Sequence, residues 1–284
     1  MHSIIQSIIL GIVQGITEFL PISSTAHLRI VPAILKWSDP GTAFSAVIQL
    51  GTMFAVVIYF WKDLSRIYGA LLNDLLLFCR GRATIPLQNH ESKTAFWILL
   101  GTIPICVFGL LFKDQIEEGI VRNLNIISFY LIFFGILLFF SEIIARQSRT
   151  ISKINALDVI LLGLVQSFAL IPGVSRAGVT LFAGLLLGFK RSDAARFSFL
   201  LSVPAVFASG LFELNTLVSS IKTEGEEIVW LNLFIGTIVA FISGYLTIGF
   251  LIKYLQTNKT NIFVVYRVLL GALVIYLNYR GIIH

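Results

Sequence analysis

Long apolar runs dominate this chain, and its organisation is set by the places where polar side chains break them. Runs near helix length at Ala43–Trp61, Thr94–Phe112, Leu124–Ile144, Phe197–Phe212, Val229–Phe250 and Ile262–Tyr279 predict membrane crossings, since a crossing takes roughly 20 residues. Two further apolar segments are interrupted. The first holds Gly11-Ile-Val-Gln-Gly-Ile-Thr-Glu-Phe-Leu-Pro-Ile-Ser-Ser-Thr-Ala-His27. Its helix must stop at Pro21, which lacks an N–H and clashes with the preceding turn. Ser23, Ser24 and Thr25 are good N-cap residues for a second short helix carrying His27. The remainder, Leu28–Leu35, is too short to span, and Trp37-Ser-Asp-Pro-Gly41 reads as a turn. The second segment, Leu157–Phe189, repeats the Gly-x-Val-Gln start, the proline stop and the hydroxyl after it. Gln166 answers Gln14, Pro172 answers Pro21, and Ser175 answers Ser24 with one residue deleted between. Paired segments broken by Pro and Gly in two halves of a chain point to a midplane site in an inverted-repeat membrane protein.

Loop charge orients these elements. Basic residues cluster at Lys62, Arg66, Arg80, Arg82 and Lys93, then at Arg146, Arg149 and Lys153. Two further clusters are Lys190, Arg191 and Arg196, and Lys253 with Lys259. The alternate loops are acidic: Asp114, Glu117 and Glu118, then Glu213, Glu224, Glu226 and Glu227. All four basic clusters share the cytoplasmic side if each broken segment enters and leaves by one face. The first is then re-entrant from outside, the second from the cytoplasm, and both termini lie outside. Three crossings separate the two segments, so the halves are inverted. The expected fold is an all-α polytopic membrane protein with two inverted-topology repeats, about 1–150 and 151–284, within a single integral-membrane domain. Each repeat holds one re-entrant broken helix pair and three transmembrane helices.

Composition agrees. Of 284 residues, 57% are apolar and 13% charged, against about 45–50% and about 25% in soluble domains, and mean hydropathy is +0.90. The runs are too long for the alternating strands of an outer-membrane barrel. The net charge of +6 belongs to cytoplasmic loops and implies no nucleic-acid partner. Met1-His2-Ser3 carries no Lys or Arg, so the start does not read as a signal peptide. Cys79 and Cys106 have no metal or redox spacing.

Polar groups are expensive in hydrocarbon, which makes the first break chemically suspect. Gln14 and Glu18 are four apart and share a helix face. Ser24 and His27 are three apart, close enough in a helix for imidazole to take a hydroxyl proton. In the second break Arg176, in an apolar stretch, needs an anionic partner, and its planar fork suits phosphate. It could instead pair with Glu18 and simply hold the halves together. Each break also offers the N-terminus of a half-helix, where free N–H groups and the helix dipole favour anions. Glu18 reads as a ligand for a divalent cation, as a general base, or as the partner of Arg176. A hard ion such as Mg²⁺ uses one or two carboxylates plus substrate phosphates, and Gln14 adds only a neutral oxygen. Gln49, Glu142, Asp158 and Ser202 read as helix contacts or interfacial groups. The many Phe residues read as lipid-facing or packing surface, although an apolar groove for a lipid tail would use the same side chains.

These motifs resemble those of the bacterial undecaprenyl-diphosphate phosphatase family, also called bacitracin-resistance proteins. Gln14-x-x-x-Glu18 with Phe19-Leu-Pro-Ile-Ser-Ser-Thr-Ala-His27 is similar to the family's glutamate-rich motif. Pro172-Gly-Val-Ser-Arg-Ala-Gly-Val-Thr180 resembles its second motif, and Val47-Ile-Gln-Leu-Gly51 also matches. The resemblance runs essentially end to end. It implies hydrolysis of undecaprenyl diphosphate to undecaprenyl phosphate and inorganic phosphate, recycling the carrier for peptidoglycan synthesis and underlying bacitracin resistance. It further implies a multi-pass protein of the bacterial inner (plasma) membrane and a site open outward. By position, Glu18 would be the essential acid with Gln14 beside it, both holding a divalent cation (Mg²⁺ or Ca²⁺). Ser24 and His27 would be the candidates for nucleophile and base, with His27 an alternative nucleophile. Arg176 completes the catalytic set. Ser23, Thr25, Gly173, Ser175 and Thr180 would bind the substrate. Ala26 and Ala177 depart from the commoner Gly and Ser, and Gln14 weakens any mechanism needing two carboxylates. The rival class is a polyprenyl-phosphate transporter or flippase built on the same repeats. A homodimer is the assembly to test for.

Overall fold

The computed structural model describes residues 3–82, 87, 89–112, 123–220 and 226–283, without the side chains of 42, 213, 215–220 and 226–229. The acidic positions Asp114, Glu117, Glu118 and Glu224 lie outside the described residues, as do the side chains of Glu213, Glu226 and Glu227. The described residues form α1 (Ile4–Phe19), α2 (Ser24–Leu35), α3 (Gly41–Tyr59), α4 (Trp61–Cys79), α5 (His90–Leu111) and α6 (Leu124–Ile144). The second half follows as α7 (Ala156–Gln166), a 3₁₀ turn Ser167–Leu170, α8 (Arg176–Leu186), α9 (Arg191–Ser220), α10 (Glu226–Thr257) and α11 (Asn261–Tyr279). No strand occurs among the described residues beyond an isolated bridge between Arg149 and Phe189.

Among the described residues, five helices are long and apolar enough to cross a membrane: His90–Leu111, Leu124–Ile144, Arg191–Phe212, Trp230–Thr257 and Asn261–Tyr279. The bent pair α3–α4, broken at 79°, makes a sixth if it counts as one span. The chain is therefore an all-helical multi-pass membrane protein.

One expectation is corrected here. The basic stretch after Trp61, expected as a loop, is mostly the helix α4. Its buried residues Leu64, Ile67, Leu71 and Asp74 recur at helical spacing, which gives the helix one face turned to the rest of the protein. Asp74 fixes it to α5 by accepting from Ser92 Oγ at 2.6 Å and Asn89 Nδ2 at 3.1 Å.

Small residues let the short helices approach the spans. An added Cβ on Gly11 of α1 would stand 2.6 Å from the carbonyl oxygen of Gly236 on α10, and one on Gly15 would be blocked by Ser243 and Gly244. On α7, a Cβ on Gly163 would collide with the backbone of Gly101 on α5. So α1 lies against α10 while α7 lies against α5, each broken pair leaning on a span from the other half.

Charged residues lock the end where the basic clusters gather. Glu142, at the end of α6, accepts from Arg191 of α9 and from the Thr260 hydroxyl at 2.9 Å, just before α11. Arg149 grips Asp158 of α7 through two nitrogens, at 2.9 and 2.5 Å, and also donates to the Leu187 carbonyl. Glu142 and Asp158 thus serve helix contacts, as expected.

Candidate active site

Both breaks are built alike. After α1, Leu20 is extended and Pro21 ends the helix. Ser23 then caps α2, its Oγ accepting from the Ala26 N–H at 3.4 Å. After the second break Ser175 caps α8 and accepts from the Gly178 N–H at 3.1 Å. The two caps share an uncommon backbone, with φ 75°, ψ 100° at Ser23 and φ 69°, ψ 111° at Ser175. A non-glycine residue at positive φ costs on the order of 1–3 kcal/mol and persists only where its surroundings dictate it. The shared geometry corrects the expected register: Ser175 answers Ser23, and no residue is deleted. Gln14 stands nine residues before Ser23, and Gln166 nine before Ser175. Arg176 therefore occupies the place of Ser24, the first residue of its half-helix, and Leu170 the place of Glu18.

The two helix starts meet at Glu18. Its Oε2 accepts from Ser24 Oγ at 2.6 Å and from Gln14 Nε2 at 3.0 Å. Its Oε1 accepts from Arg176 Nη2 at 2.8 Å and Gln49 Nε2 at 2.8 Å. One carboxylate thus collects donors from α1, α2, α3 and α8. Arg176 commits one nitrogen to this ion pair. Among the described residues its other guanidinium nitrogens have no partner, so the fork is left half open.

His27 is oriented elsewhere. Its Nδ1 lies 2.7 Å from the Ser23 carbonyl oxygen, which can only accept, so Nδ1 carries a proton. Its Nε2 lies 2.7 Å from Tyr266 Oη, and the two rings stack 5.6 Å apart. In the neutral imidazole Nε2 is the lone-pair nitrogen and accepts a hydrogen bond from the tyrosine hydroxyl. The expected Ser24–His27 contact is not formed: both ring nitrogens are occupied, and Ser24 donates to Glu18.

The remaining expected residues divide. Ser23 Oγ lies 3.1 Å from Thr25 Oγ1, and Thr25 is exposed at the rim. Gly173, at φ +87°, sits where a Cβ would strike the Ile127 carbonyl. Thr180 is fully buried; its hydroxyl donates to the Arg176 carbonyl at 2.7 Å and is shared with Ser198 of α9. It braces the start of α8 rather than lining the rim. Gln166 is fully buried with its amide unpartnered, as follows from having Leu170 where Gln14 has Glu18.

Arg267 is a residue that motif and spacing did not single out. It is 0% exposed within α11, and among the described residues it donates only to backbone carbonyls. Nη1 reaches Pro21 at 3.1 Å, Nη2 reaches Gly173 and Val174, each at 3.0 Å, and Tyr130 at 3.3 Å, and Nε reaches Leu131 at 2.9 Å. Holding Pro21 on one side and Gly173–Val174 on the other, it pins the peptide groups leading into both strained caps. The available clue was an arginine inside an apolar run. Gln49, expected among the helix contacts or interfacial groups and within the matching Val47–Gly51 stretch, makes its contact with Glu18.

One carboxylate and two amides converge, and among the described residues no three His, Cys, Asp or Glu gather to hold a metal. That donor set suits a hard cation bound largely through substrate phosphates, not one caged by protein alone.

The family described as Bacitracin resistance protein BacA matches residues 7–273. The chain is 50% identical to an undecaprenyl-diphosphatase of Chlorobaculum parvum over 95% of both sequences. It is 48% identical to one of Chlorobium phaeovibrioides over 98% of both, and 47% to one of Gloeobacter violaceus over 99% of this chain and 93% of that protein. Both breaks, Glu18, Arg176 and Arg267 all fall inside the matched span, and the chain belongs to the bacitracin resistance protein BacA family.

Proposed function

We propose that this chain is a membrane-embedded phosphatase that cleaves the terminal phosphate from undecaprenyl diphosphate. The observation that carries the reading is the convergence of Ser24, Glu18 and Arg176 where two half-helices begin. Ser24 is a hydroxyl already donating to a carboxylate, which is a nucleophile beside a base. Arg176 is a phosphate ligand beside the same carboxylate. The relatives' names, undecaprenyl-diphosphatase at 47–50% identity over nearly the full length, supply the substrate class.

In the mechanism, the distal phosphate sits against the first N–H groups of α2 and α8, where the helix dipoles favour an anion. The open nitrogens of Arg176 take its oxygens. Ser24 Oγ attacks the distal phosphorus as its proton passes to Glu18. The bond to the bridging oxygen breaks and undecaprenyl phosphate leaves. Water then releases orthophosphate from Ser24, with Glu18 returning the proton. Preorganised donors aimed at developing charge usually contribute most of the rate gain in such a reaction. A divalent cation, when bound, would neutralise phosphate charge, held by Glu18 with the amide oxygens of Gln14 and Gln49. This scheme is favoured over attack by His27 because Nε2, its lone-pair nitrogen, is occupied by Tyr266.

Purified protein in nanodiscs is expected to release orthophosphate from undecaprenyl diphosphate. Release should fall to background with a chelator, return with Mg²⁺ or Ca²⁺, and be absent from Ser24→Ala. A purely transporting protein releases none. A base-stable, acid-labile phosphoenzyme formed by Ser24→Ala would transfer the nucleophile to His27.

The architecture belongs to the same reading: two inverted repeats in the plasma membrane, each with a re-entrant pair. The packing supports it, because α1 on α10 and α7 on α5 are one interface made twice with the halves exchanged. So does the ungapped match of Gln14–Ser23 to Gln166–Ser175. In a background without Cys79 and Cys106, single cysteines at Glu118 and Glu226 should label from outside and those at Arg82 and Arg149 should not. Equal labelling of all four would refute the inversion.

A further inference from the structure

We propose that the polyprenyl chain of the substrate leaves the site past Tyr266 and lies along the outward face of α11. The inference rests on the polyprenyl-diphosphate reading above, and it adds the path of the lipid. A diphosphate held at buried helix starts must pass its apolar tail to the bilayer somewhere. Every spanning helix shows the bilayer an apolar face, so exposure alone selects none of them. What separates α11 is Tyr266. Its hydroxyl is 2.7 Å from His27 Nε2, and its ring stacks on a buried imidazole. Yet the residue is 43% exposed, on a helix able to cross the membrane. Among the described residues it is the one exposed side chain of a span-length helix bonded to His27, three residues after Ser24 on the same half-helix. Tyrosine suits such a boundary, with an apolar body and a polar tip.

The path continues from there. Ile262, Val265, Leu269, Leu273 and Tyr276 recur at spacings of three and four around Tyr266 and are exposed, Leu269 by 65%. They form one apolar stripe along the helix. The opposite flank of the same half-helix start carries Thr25, an exposed residue whose hydroxyl is bonded to Ser23. A diphosphate is thus offered water on the Thr25 side and hydrocarbon on the Tyr266 side, which is the division that an amphiphile with a charged head and a prenyl tail requires.

A polyprenyl diphosphate with a diazirine in its second isoprene unit, photolysed with the wild-type protein in nanodiscs, tests the path by mass spectrometry. Adducts should concentrate between Val265 and Leu273, several-fold above the equally exposed Leu246 and Phe250 of α10, and unlabelled undecaprenyl diphosphate should suppress them. Adducts centred on Ile16 of α1, or spread evenly over the outward residues of all spans, would overturn the proposal. Leu269→Trp, outside the reacting groups, should lower kcat/KM for the C55 diphosphate several-fold and leave that for geranyl diphosphate near wild type. Equal loss for both substrates would also overturn it. Competed labelling of α11 without any orthophosphate release would instead refute hydrolysis and keep the lipid path.

Discussion

Arg176→Lys lowers kcat by about 10²–10³-fold, the usual loss when one preorganised charge-stabilising donor is removed, in a protein that still inserts and folds. The expectation follows from how the guanidinium is divided. Nη2 is committed to Glu18 Oε1 at 2.8 Å, and the remaining nitrogens are open to phosphate. A planar fork can hold a carboxylate with one prong and a phosphate with another; an ammonium is a point donor on a differently shaped stem. Lysine can still neutralise Glu18 and so keep the ion pair between α1 and α8. If that pair only fastens the two halves, Lys therefore suffices and turnover stays close to wild type. If Arg176 also clamps the distal phosphate, the ion pair survives and catalysis does not. Measuring kcat and thermal stability on the same preparation separates the two. Near-normal turnover, or a loss matched by unfolding, would remove Arg176 from the phosphate site.

The parts of this site visible in the sequence were those set by local chemistry. Pro21 had to end a helix, serine had to cap the next one, and Gln14 and Glu18 had to share a face; the 3.0 Å contact between them needs only helical spacing. The long apolar runs could be placed for the same reason, because span length is a property of one segment. Contacts between distant elements were not legible. His27 is three residues from Ser24, and spacing alone joined them, but the imidazole turns to Tyr266, 239 residues away. Thr180 follows Arg176 at one helical turn, yet that turn carries it to Ser198 and away from the rim. Matching proline to proline does not give the register of the two breaks. What the fold repeats is the strained serine cap, and the proline sits one position apart in the two breaks. The helix α4 is not legible as a span because Lys62, Asp63, Arg66, Asn73 and Asp74 interrupt its apolar residues, and those charges read as a cytoplasmic loop.

Arg267→Met is expected to be the most damaging single change outside the reacting groups: the protein should fail to accumulate in folded form. Arg267 is fully buried and has no carboxylate partner among the described residues; its charge is met by the carbonyls of Pro21, Tyr130, Leu131, Gly173 and Val174. Methionine fills much of the volume but donates nothing; Tyr130 and Leu131 keep their helical partners within α6, while the carbonyls of Pro21, Gly173 and Val174 lose theirs, and each buried acceptor left unpaired costs about 1–3 kcal/mol. That total approaches the 5–15 kcal/mol, roughly, that holds a domain folded. The loss would fall on the peptide groups just before Ser23 and Ser175, whose positive φ values need outside support. Arg267→Lys separates position from bulk stability. Its ammonium keeps the charge and three donors, but it cannot span Leu131 on one side and Val174 on the other. The lysine variant should therefore fold with a lowered Tm and lose turnover beyond its unfolded fraction, because the starts of α2 and α8 would no longer be held in register around Glu18. Recovery of Arg267→Met with wild-type Tm and turnover would show that the two breaks hold their geometry unaided.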